Sequence, residues 1–222
     1  PGSYAMLGGM NAAGLLIDWF VEKLGLEVKK KAEASGRSVY EVLIEEAEKT
    51  EPGAAGMLVI PYFCGERTPV FDGSARGILF GLTLDHGRGH VFRALLEGIG
   101  YGIRDNMEVF DEHGAADNQV MAVGGGCKNQ LLLRVISDIT GKDLTVSEVT
   151  LGAAYGDAFL AGIAAGRVDG PEEIEHWIRK KCVIRPEKEV KEMYDSGFDI
   201  YRKLYENTKD LMKSITSRNL NE

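Results

Sequence analysis

One segment, residues 119–141, constrains the fold of this chain more than any other. An apolar run over 119–123 is followed at once by three glycines, 124–126, and then by an amphipathic stretch over 131–140. The apolar run predicts a buried strand, and the helical recurrence of apolar side chains over 131–140 predicts a helix. A strand, a tight glycine turn and a helix in this order are typical of layered α/β domains.

Predicted strands and helices also alternate along the rest of the chain, so the whole sequence is predicted to form a layered α/β domain. Apolar spacing predicts helices over 10–24, 38–49, 89–112, 131–140, 152–166, 171–181 and 187–215, and strands over 57–63, 78–84, 119–123 and 143–148. In the long central helix, Arg93 and Glu97 stand four residues apart and are predicted to pair on one helix face. No internal repeat or linker interrupts the pattern, so residues 1–222 are predicted to form a single domain with a frayed tail over 216–222.

Charge and cysteine usage exclude several classes of protein. The chain has 26 Lys and Arg against 34 Asp and Glu, a net charge of −8, which disfavours nucleic-acid binding. Cys64, Cys127 and Cys182 show neither a CxxC motif nor a zinc spacing, which indicates a reducing cytoplasm. No apolar stretch approaches the roughly 20 residues that span a membrane, and no signal peptide is predicted. Residue 1 is Pro, not Met, which indicates a processed product or a piece of a longer protein.

The glycine segment is the strongest local indication of a binding site. Glycines let a ligand approach the backbone, and the start of the following helix offers free N–H groups and a positive dipole end to an anion. A nucleotide site and a tight turn without a ligand both fit this pattern. The residues around Lys128 do not supply a Walker A motif. Gly124 and Gly126 match two of the three glycines of a dinucleotide fingerprint, with Asn129 at the third position and Glu148 placed as a ribose-binding acid, so an NAD-binding oxidoreductase remains an alternative.

Two other groups of residues contain side chains of the types that bind metals or catalyse reactions. Asp85, His86 and His90 are metal-ligand types, but the favoured interpretation is a capped, solvated helix start with Asp85 as the N-cap. Glu66 and Arg67 are interpreted as an ion pair that braces a loop rather than as a catalytic pair. Neither group therefore predicts a catalytic centre.

Several segments taken together resemble the C-terminal half of the FGGY family of carbohydrate kinases, and most of all its xylulose-kinase-like branch. The matching segments read GGMNAAGLLIDWF, IPYFCGERTPVFDGSARGILFGLTLDHGRGHVFRALLEG, VGGGCKNQLLLRVISDITG and YGDAFLAG, in the family's order. They cover residues 8–166, which is most of the chain. The second signature of the family is matched at its required spacings by Gly77, Gly81, His90, Ala94 and Glu97.

The resemblance implies an actin-like ATPase fold of two lobes, each a ribonuclease-H-like α/β domain with a mixed sheet flanked by helices. This chain would be the C-terminal, nucleotide-binding lobe. Gly125, Gly126 and Asn129 match the nucleotide contacts of the family's glycine loop. Gly14 and Asp18 match contact positions on the first helix, although Asp18 stands where some members have Gln. No single contact is predicted within residues 152–156.

The resemblance also implies what this chain lacks. The family's catalytic aspartate, in a GGGD-type motif, and its GTS-type phosphate loop both precede the matched region, so no catalytic residue is predicted here. ATP and Mg²⁺ are the implied cofactors, with the Mg²⁺ ligands mainly in the N-terminal lobe. The acceptor would be the hydroxyl of xylulose or a related sugar, and the chain alone would be inactive. A non-catalytic nucleotide-binding or assembly module remains a second alternative, and a homo-oligomer is compatible with the sequence.

Overall fold

A computed structural model of the protein describes residues 5–115 and 119–219. Within these ranges, helices and strands follow one another as α1 (Ala13–Leu24), α2 (Leu26–Ser35), α3 (Val39–Glu48), β1 (Leu58–Ile60), β2 (Ile78–Phe80), α4 (Arg88–Glu112), β3 (Gln119–Ala122), α5 (Gln130–Thr140), β4 (Asp143–Ser147), α6 (Ala153–Ala164), α7 (Ile174–Trp177), β5 (Lys180–Ile184) and α8 (Lys191–Asn219). No helix in the described part of the chain is both long enough and apolar enough to cross a membrane.

Two separate sheets form from the five strands. The larger has the order β3-β4-β5, with β3 parallel to β4 and β4 antiparallel to β5. Strands β1 and β2 make a small antiparallel pair in which Val59 lies opposite Leu79. Leu133 of α5 packs against Leu144 and Val146 on one face of the larger sheet. The predicted α/β architecture with a mixed sheet flanked by helices is confirmed.

Helix α4 runs through the main hydrophobic core. Phe92, Leu95, Leu96 and Ile99 are at most 2% exposed and pack in one cluster with side chains of α1, α3, α5 and α8. The helix also approaches β1 closely at Gly98, where a Cβ atom would lie 2.5 Å from a backbone oxygen of the strand. Glycine is therefore required where α4 crosses β1. Burial of the long apolar face of α4 holds the other helices around it.

Buried polar groups join α4 to α8. The predicted pair of Arg93 and Glu97 is confirmed, with 2.8 Å between Nε and Oε1. The hydroxyl of Tyr194 on α8 donates to the same Oε1 at 3.0 Å. Further along α8, the hydroxyl of Tyr201 donates to that of Tyr62 at 2.8 Å. Since each bond satisfies a buried group, these contacts fix α8 on the core.

The predicted helix over 171–181 is wrong in its second part. A short 3₁₀ turn at Pro171–Glu173 leads into the single-turn helix α7, and the chain then forms the strand β5. Lys180, Lys181 and Cys182 are exposed, because β5 lies at the edge of the sheet. The strand depends on pairing with β4, a distant segment, and local spacing does not reveal such pairing. The basic cluster at 179–181 accordingly lies on a sheet edge, not on a helix face.

Several element boundaries also differ from the prediction. Helix α2 was not predicted, since its sequence is highly polar and buries only Val28 and Ala32. The strands over 57–63 and 78–84 shorten to three residues each, and Gly81, with a φ of 80°, turns the chain after β2. Helix α8 continues to residue 219, so the first part of the predicted tail is helical and residues 220–222 lie outside the described range.

The N-cap of α4 is Gly87, not Asp85 as predicted. The backbone N–H of Gly87 donates to Nδ1 of His90 at 3.1 Å, so the imidazole closes the first turn of the helix. His90 is in reach because it is the third residue of the helix, the position from which a side chain returns to the N-cap.

Candidate functional site

The glycine loop between β3 and α5 has a defined geometry. Gly124 has a φ of 91°, and its N–H donates to the carbonyl oxygen of Thr150 at 2.9 Å. A 3₁₀ turn over Gly125–Lys128 follows. Asn129 is the N-cap of α5, and its Oδ1 accepts from the N–H of Leu132 at 3.0 Å. The hydrogen bonds of Gly124 and Asn129 therefore anchor the loop at both ends, and Gly125 and Gly126 between them lie just ahead of α5.

The protein's own packing does not require glycine in the middle of this loop. A Cβ atom on Gly125 would meet nothing within 4 Å, and on Gly126 it would meet only Leu132 at 3.8 Å. Both residues are exposed, and neither has a positive φ. Cys127 is buried beneath them, and burial raises the pKa of its thiol. The open backbone of Gly125 and Gly126 is thus available for a ligand to approach.

The second predicted group lies on α1. Gly14 and Asp18 are exposed one turn apart, and a Cβ atom on Gly14 would meet nothing within 4 Å. A glycine inside a helix costs about 1 kcal/mol relative to alanine, and here no packing contact explains it. Oδ1 of Asp18 accepts a hydrogen bond of 2.7 Å from the hydroxyl of Tyr40, and the neighbouring carboxylate raises the pKa of that hydroxyl. Asp18 therefore already has one partner within the chain.

Helix α3 separates the two groups. Tyr40, near its start, binds Asp18, and Glu48, at its end, pairs with Arg134 of α5. Tyr40 and Glu48 lie about 12 Å apart along the helix axis, at 1.5 Å per residue. No hydrogen bond or ion pair within residues 5–115 and 119–219 links Gly14 or Asp18 to the glycine loop. The structure joins Gly126 and Asn129, whose N–H donates to the carbonyl oxygen of Gly126 at 3.0 Å, but within the described part of the chain it does not join the glycine loop to Gly14 or Asp18 through such bonds.

Glu66 is a functional candidate that the sequence reasoning missed. Its Oε1 accepts from the N–H of Arg67 at 2.7 Å and from the N–H of Asn11 at 3.0 Å, so the predicted ion pair with Arg67 is wrong. Glu66 is 4% exposed, and its Oε2 is buried without a hydrogen-bond partner in the described structure. Burial raises the pKa of this carboxyl group. The adjacent opposite charges of Glu66 and Arg67 do not reveal that Glu66 is buried, because its burial depends on contacts between this loop and residues distant in sequence.

Those distant contacts hold the loop of Glu66 at the start of α1. Oγ1 of Thr68 accepts from the N–H of Gly9 at 2.6 Å, and Nδ2 of Asn106 on α4 donates to the carbonyl oxygen of Thr68 at 3.0 Å. The exposed side chain of Arg67 lies next to Gly9. A buried carboxyl group and an exposed guanidinium group therefore lie beside the start of α1, just ahead of Gly14.

His86, just before α4, and His90, in its first turn, both act as hydrogen-bond acceptors. Nδ1 of His86 accepts from the N–H of Thr83 at 2.8 Å, and the rings of His86 and His90 lie 5.3 Å apart. In the part of the chain that the structure describes, no three His, Cys, Asp or Glu side chains are grouped so as to hold a metal ion. The hydrogen bond from the N–H of Gly87 to His90 confirms the interpretation of a capped helix start, with His90 in place of Asp85.

The architecture and the comparisons with known proteins identify the family. A mixed sheet flanked by helices fits the actin-like ATPase fold of the solved sugar kinases that this chain resembles. The family model for the "FGGY family of carbohydrate kinases, C-terminal domain" matches residues 1–165. The chain therefore belongs to the FGGY family of carbohydrate kinases.

Individual relatives agree with the family assignment. The chain is 35% identical to a xylulose kinase of Bacillus subtilis over 216 residues, which is 97% of this chain and 41% of that protein. It is 31% identical to a ribulokinase of Geobacillus thermodenitrificans, over 97% of this chain and 40% of that protein. The crystal structure of xylulose kinase from Rhodospirillum rubrum is similar with a TM-score of 0.77 and 29% identity, over 92% of this chain and 40% of that one. The chain thus spans about two fifths of the length of these relatives.

Proposed function

We propose that this chain is the C-terminal, nucleotide-binding lobe of an ATP-dependent carbohydrate kinase. The whole enzyme would transfer the γ-phosphoryl group of ATP to a hydroxyl group of xylulose or a related sugar. The observation that carries the proposal is the family match over residues 1–165, which includes the glycine loop. The relatives named for xylulose and ribulose support a five-carbon sugar as the acceptor.

The geometry of the glycine loop fits a nucleotide. Gly125 and Gly126 leave the backbone open at the start of α5, where free N–H groups and the helix dipole favour an anionic or polar group. Asn129 uses Oδ1 to cap the helix, and its Nδ2 has no partner among the described residues, so it is available as a donor. Gly14 offers a second open backbone position, on α1. We infer that these residues, with Asp18, contact the nucleotide.

The catalytic groups would lie in the region that the relatives carry ahead of the matched part. Phosphoryl transfer depends mainly on positioning and on stabilising charge, and Mg²⁺ supplies part of that charge when bound to the phosphates. Mg²⁺ needs only one or two protein carboxylates beside the phosphates, and the family resemblance assigns them mainly to that preceding region. This lobe would hold ATP and close over it, which excludes water as a competing acceptor.

The two alternatives are less favoured. An NAD-binding oxidoreductase would need close helix packing at the third fingerprint position, but Asn129 there caps α5 through its side chain. The relatives described above are xylulose kinases and a ribulokinase, which are sugar kinases. Calorimetric titration with ATP and with NAD separates these two functions. A non-catalytic module is separated from a kinase by whether the full-length protein phosphorylates a sugar.

A pair of substitutions at Asn129 tests its role in nucleotide binding. Asn129→Ser keeps an N-cap oxygen but removes the Nδ2 donor, whereas Asn129→Ala removes both and costs about 1 kcal/mol of stability. We expect Asn129→Ser to weaken ATP binding, measured by calorimetry, while the urea unfolding midpoint stays near that of the wild type. An unchanged ATP affinity in Asn129→Ser would show that Asn129 only caps α5 and does not contact the nucleotide through Nδ2.

A further inference from the structure

We propose that a cavity of about 250 Å³ is a binding site for a small amphipathic alcohol, which goes beyond the nucleotide-binding function. The cavity lies between the β1–β2 pair, the middle of α4 and the first turns of α8. None of its lining residues belongs to α1 or to the glycine loop. Its volume is just below the roughly 300–1,000 Å³ usual for ligand pockets, so a ligand of about ring size fits.

Two buried polar side chains with unused hydrogen-bonding capacity line this cavity. Glu97 and Tyr101 lie one turn apart on α4 and are 2% and 4% exposed. Oε1 of Glu97 is fully engaged, since it accepts from Arg93, Tyr194 and the N–H of Gly53 at 2.8 to 3.0 Å. In the described structure, Oε2 of Glu97 and the hydroxyl of Tyr101 have no hydrogen-bond partner. Both atoms are open to solvent in the cavity rather than sealed in the core, so each can bond to a ligand that enters it.

The backbone on the α8 side makes room for the hydroxyl of Tyr101. A Cβ atom on Gly197 would lie 2.1 Å from that hydroxyl oxygen, so only glycine fits at this point of α8. The preceding residue, Ser196, also lines the cavity and is exposed. The hydroxyl of Tyr101 thus reaches the cavity because α8 carries no side chain in its way.

The remaining walls are largely apolar. Met57 and Leu58 are buried at the β1 side, and Phe80, Met193 and Ile200 are partly exposed around the opening. Apolar walls favour a hydrophobic body, and the polar end favours a single group that both donates and accepts. A hydroxyl group meets this requirement, because it donates to Oε2 of Glu97 and accepts from the hydroxyl of Tyr101. The carboxyl group of Glu97 disfavours an acidic ligand.

Benzyl alcohol and toluene form a matched pair of probes, because they differ in the hydroxyl group alone. Each is titrated into the full chain, and binding is followed by the amide NMR signals of Gly53, Gly56 and Gly197. We expect benzyl alcohol to bind about tenfold more tightly than toluene, as one added hydrogen bond of about 1.4 kcal/mol would produce. Equal affinity for both probes, or no shift with either because water alone fills the cavity, would overturn the proposal.

Substitutions at the two ends of the cavity give an independent test. Tyr101→Phe removes a hydroxyl that has no partner in the described protein, and we expect it to reduce the tenfold preference for benzyl alcohol. Ser196→Leu fills the opening from an exposed position, and we expect it to abolish the shifts caused by benzyl alcohol. Ser214→Leu, at another exposed serine of α8, serves as the matched control and keeps the shifts. Wild-type binding in both Tyr101→Phe and Ser196→Leu would place the alcohol elsewhere and reject this site.

Discussion

At the residue scale, adjacent glycines of the glycine loop serve different purposes. Gly124 has a φ of 91° and a ψ of −171°, a conformation that is essentially restricted to glycine and costs other residues about 1–3 kcal/mol. Gly125 has no positive φ, and a Cβ atom there would meet no protein atom within 4 Å. The first glycine is therefore required by the backbone, and the second leaves space for a ligand.

Alanine at each position separates these roles. We expect Gly124→Ala to lower the free energy of unfolding by about 1–3 kcal/mol. Gly125→Ala should leave stability within about 0.5 kcal/mol of the wild type but weaken ATP binding by about tenfold, since its methyl group occupies space next to the nucleotide. Urea unfolding and calorimetric titration with ATP measure the two effects. Wild-type ATP affinity in Gly125→Ala would contradict the proposed contact.

Glu66 predicts a pH dependence of stability. Burial raises the pKa of its carboxyl group above the ordinary value of 4.5. The folded chain therefore takes up a proton at higher pH than the unfolded chain, so Glu66 destabilises the fold increasingly as pH rises above about 4.5. We expect Glu66→Gln to be more stable than the wild type at pH 7, with a difference that shrinks as the pH is lowered to 4.5. Urea unfolding at several pH values measures this.

The control for Glu66 is Glu33→Gln, which removes the same charge from an exposed site on α2. A stability difference for Glu66→Gln that stays constant with pH, or that matches the control, would show that the burial of Glu66 has no energetic consequence.

At the scale of elements, a buried charge pair within α4 is bonded to α8 through Tyr194. Arg93 and Glu97 are both under 10% exposed, and Tyr194 joins them. Replacing Arg93 by methionine leaves the carboxyl group of Glu97 without its cation, which we expect to cost about 3–5 kcal/mol. Tyr194→Phe removes one donor and should cost about 1–3 kcal/mol. Both are measured by urea unfolding.

Arg37→Met is the comparison for these variants, because it breaks the exposed pair of Arg37 and Glu45. We expect it to change stability very little, since solvent screens an exposed pair. If Arg93→Met were equally mild, the buried pair would not hold the two helices together.

Sequence reasoning succeeded where an element's own residues determine it. The helix predicted over 131–140 and the strand before it match α5 and β3, because their apolar spacing coincides with burial against the core. Strand β5 was missed, since its edge position leaves most of it exposed and its conformation depends on pairing with β4. The N-cap of α4 was assigned to Asp85 because a carboxylate is the commoner cap, but the imidazole of His90 closes that turn.

The residues of the candidate site could likewise be predicted only in part from the sequence. The glycine loop follows from local pattern, and Gly14, Asp18 and Asn129 follow from the family resemblance alone. Glu66 was interpreted as half of an ion pair, and its burial could not be predicted, because it arises when residues far apart in sequence, Asn11 among them, close over the loop. The free polar groups that line the cavity between α4 and α8 likewise become visible only when helix packing is known.

At the scale of the whole molecule, the chain accounts for about two fifths of the length of its relatives. It carries the proposed nucleotide contacts and no motif for the catalytic aspartate or the phosphate loop. These facts are consistent with an enzyme in which this lobe mainly holds ATP and an N-terminal lobe activates the acceptor hydroxyl. Closure of the two lobes would then bring the phosphoryl group to the sugar.

Sugar-dependent release of ADP from ATP tests this account most directly. The assay compares the full-length protein with the 222-residue chain, using xylulose, ribulose and other pentoses, hexoses and polyols as acceptors. We predict that the full-length protein releases ADP only in the presence of a suitable sugar and yields one sugar phosphate per ADP, while the chain alone shows no turnover. Turnover by the chain alone, or a full-length protein that binds ATP but phosphorylates none of these acceptors, would contradict the assignment.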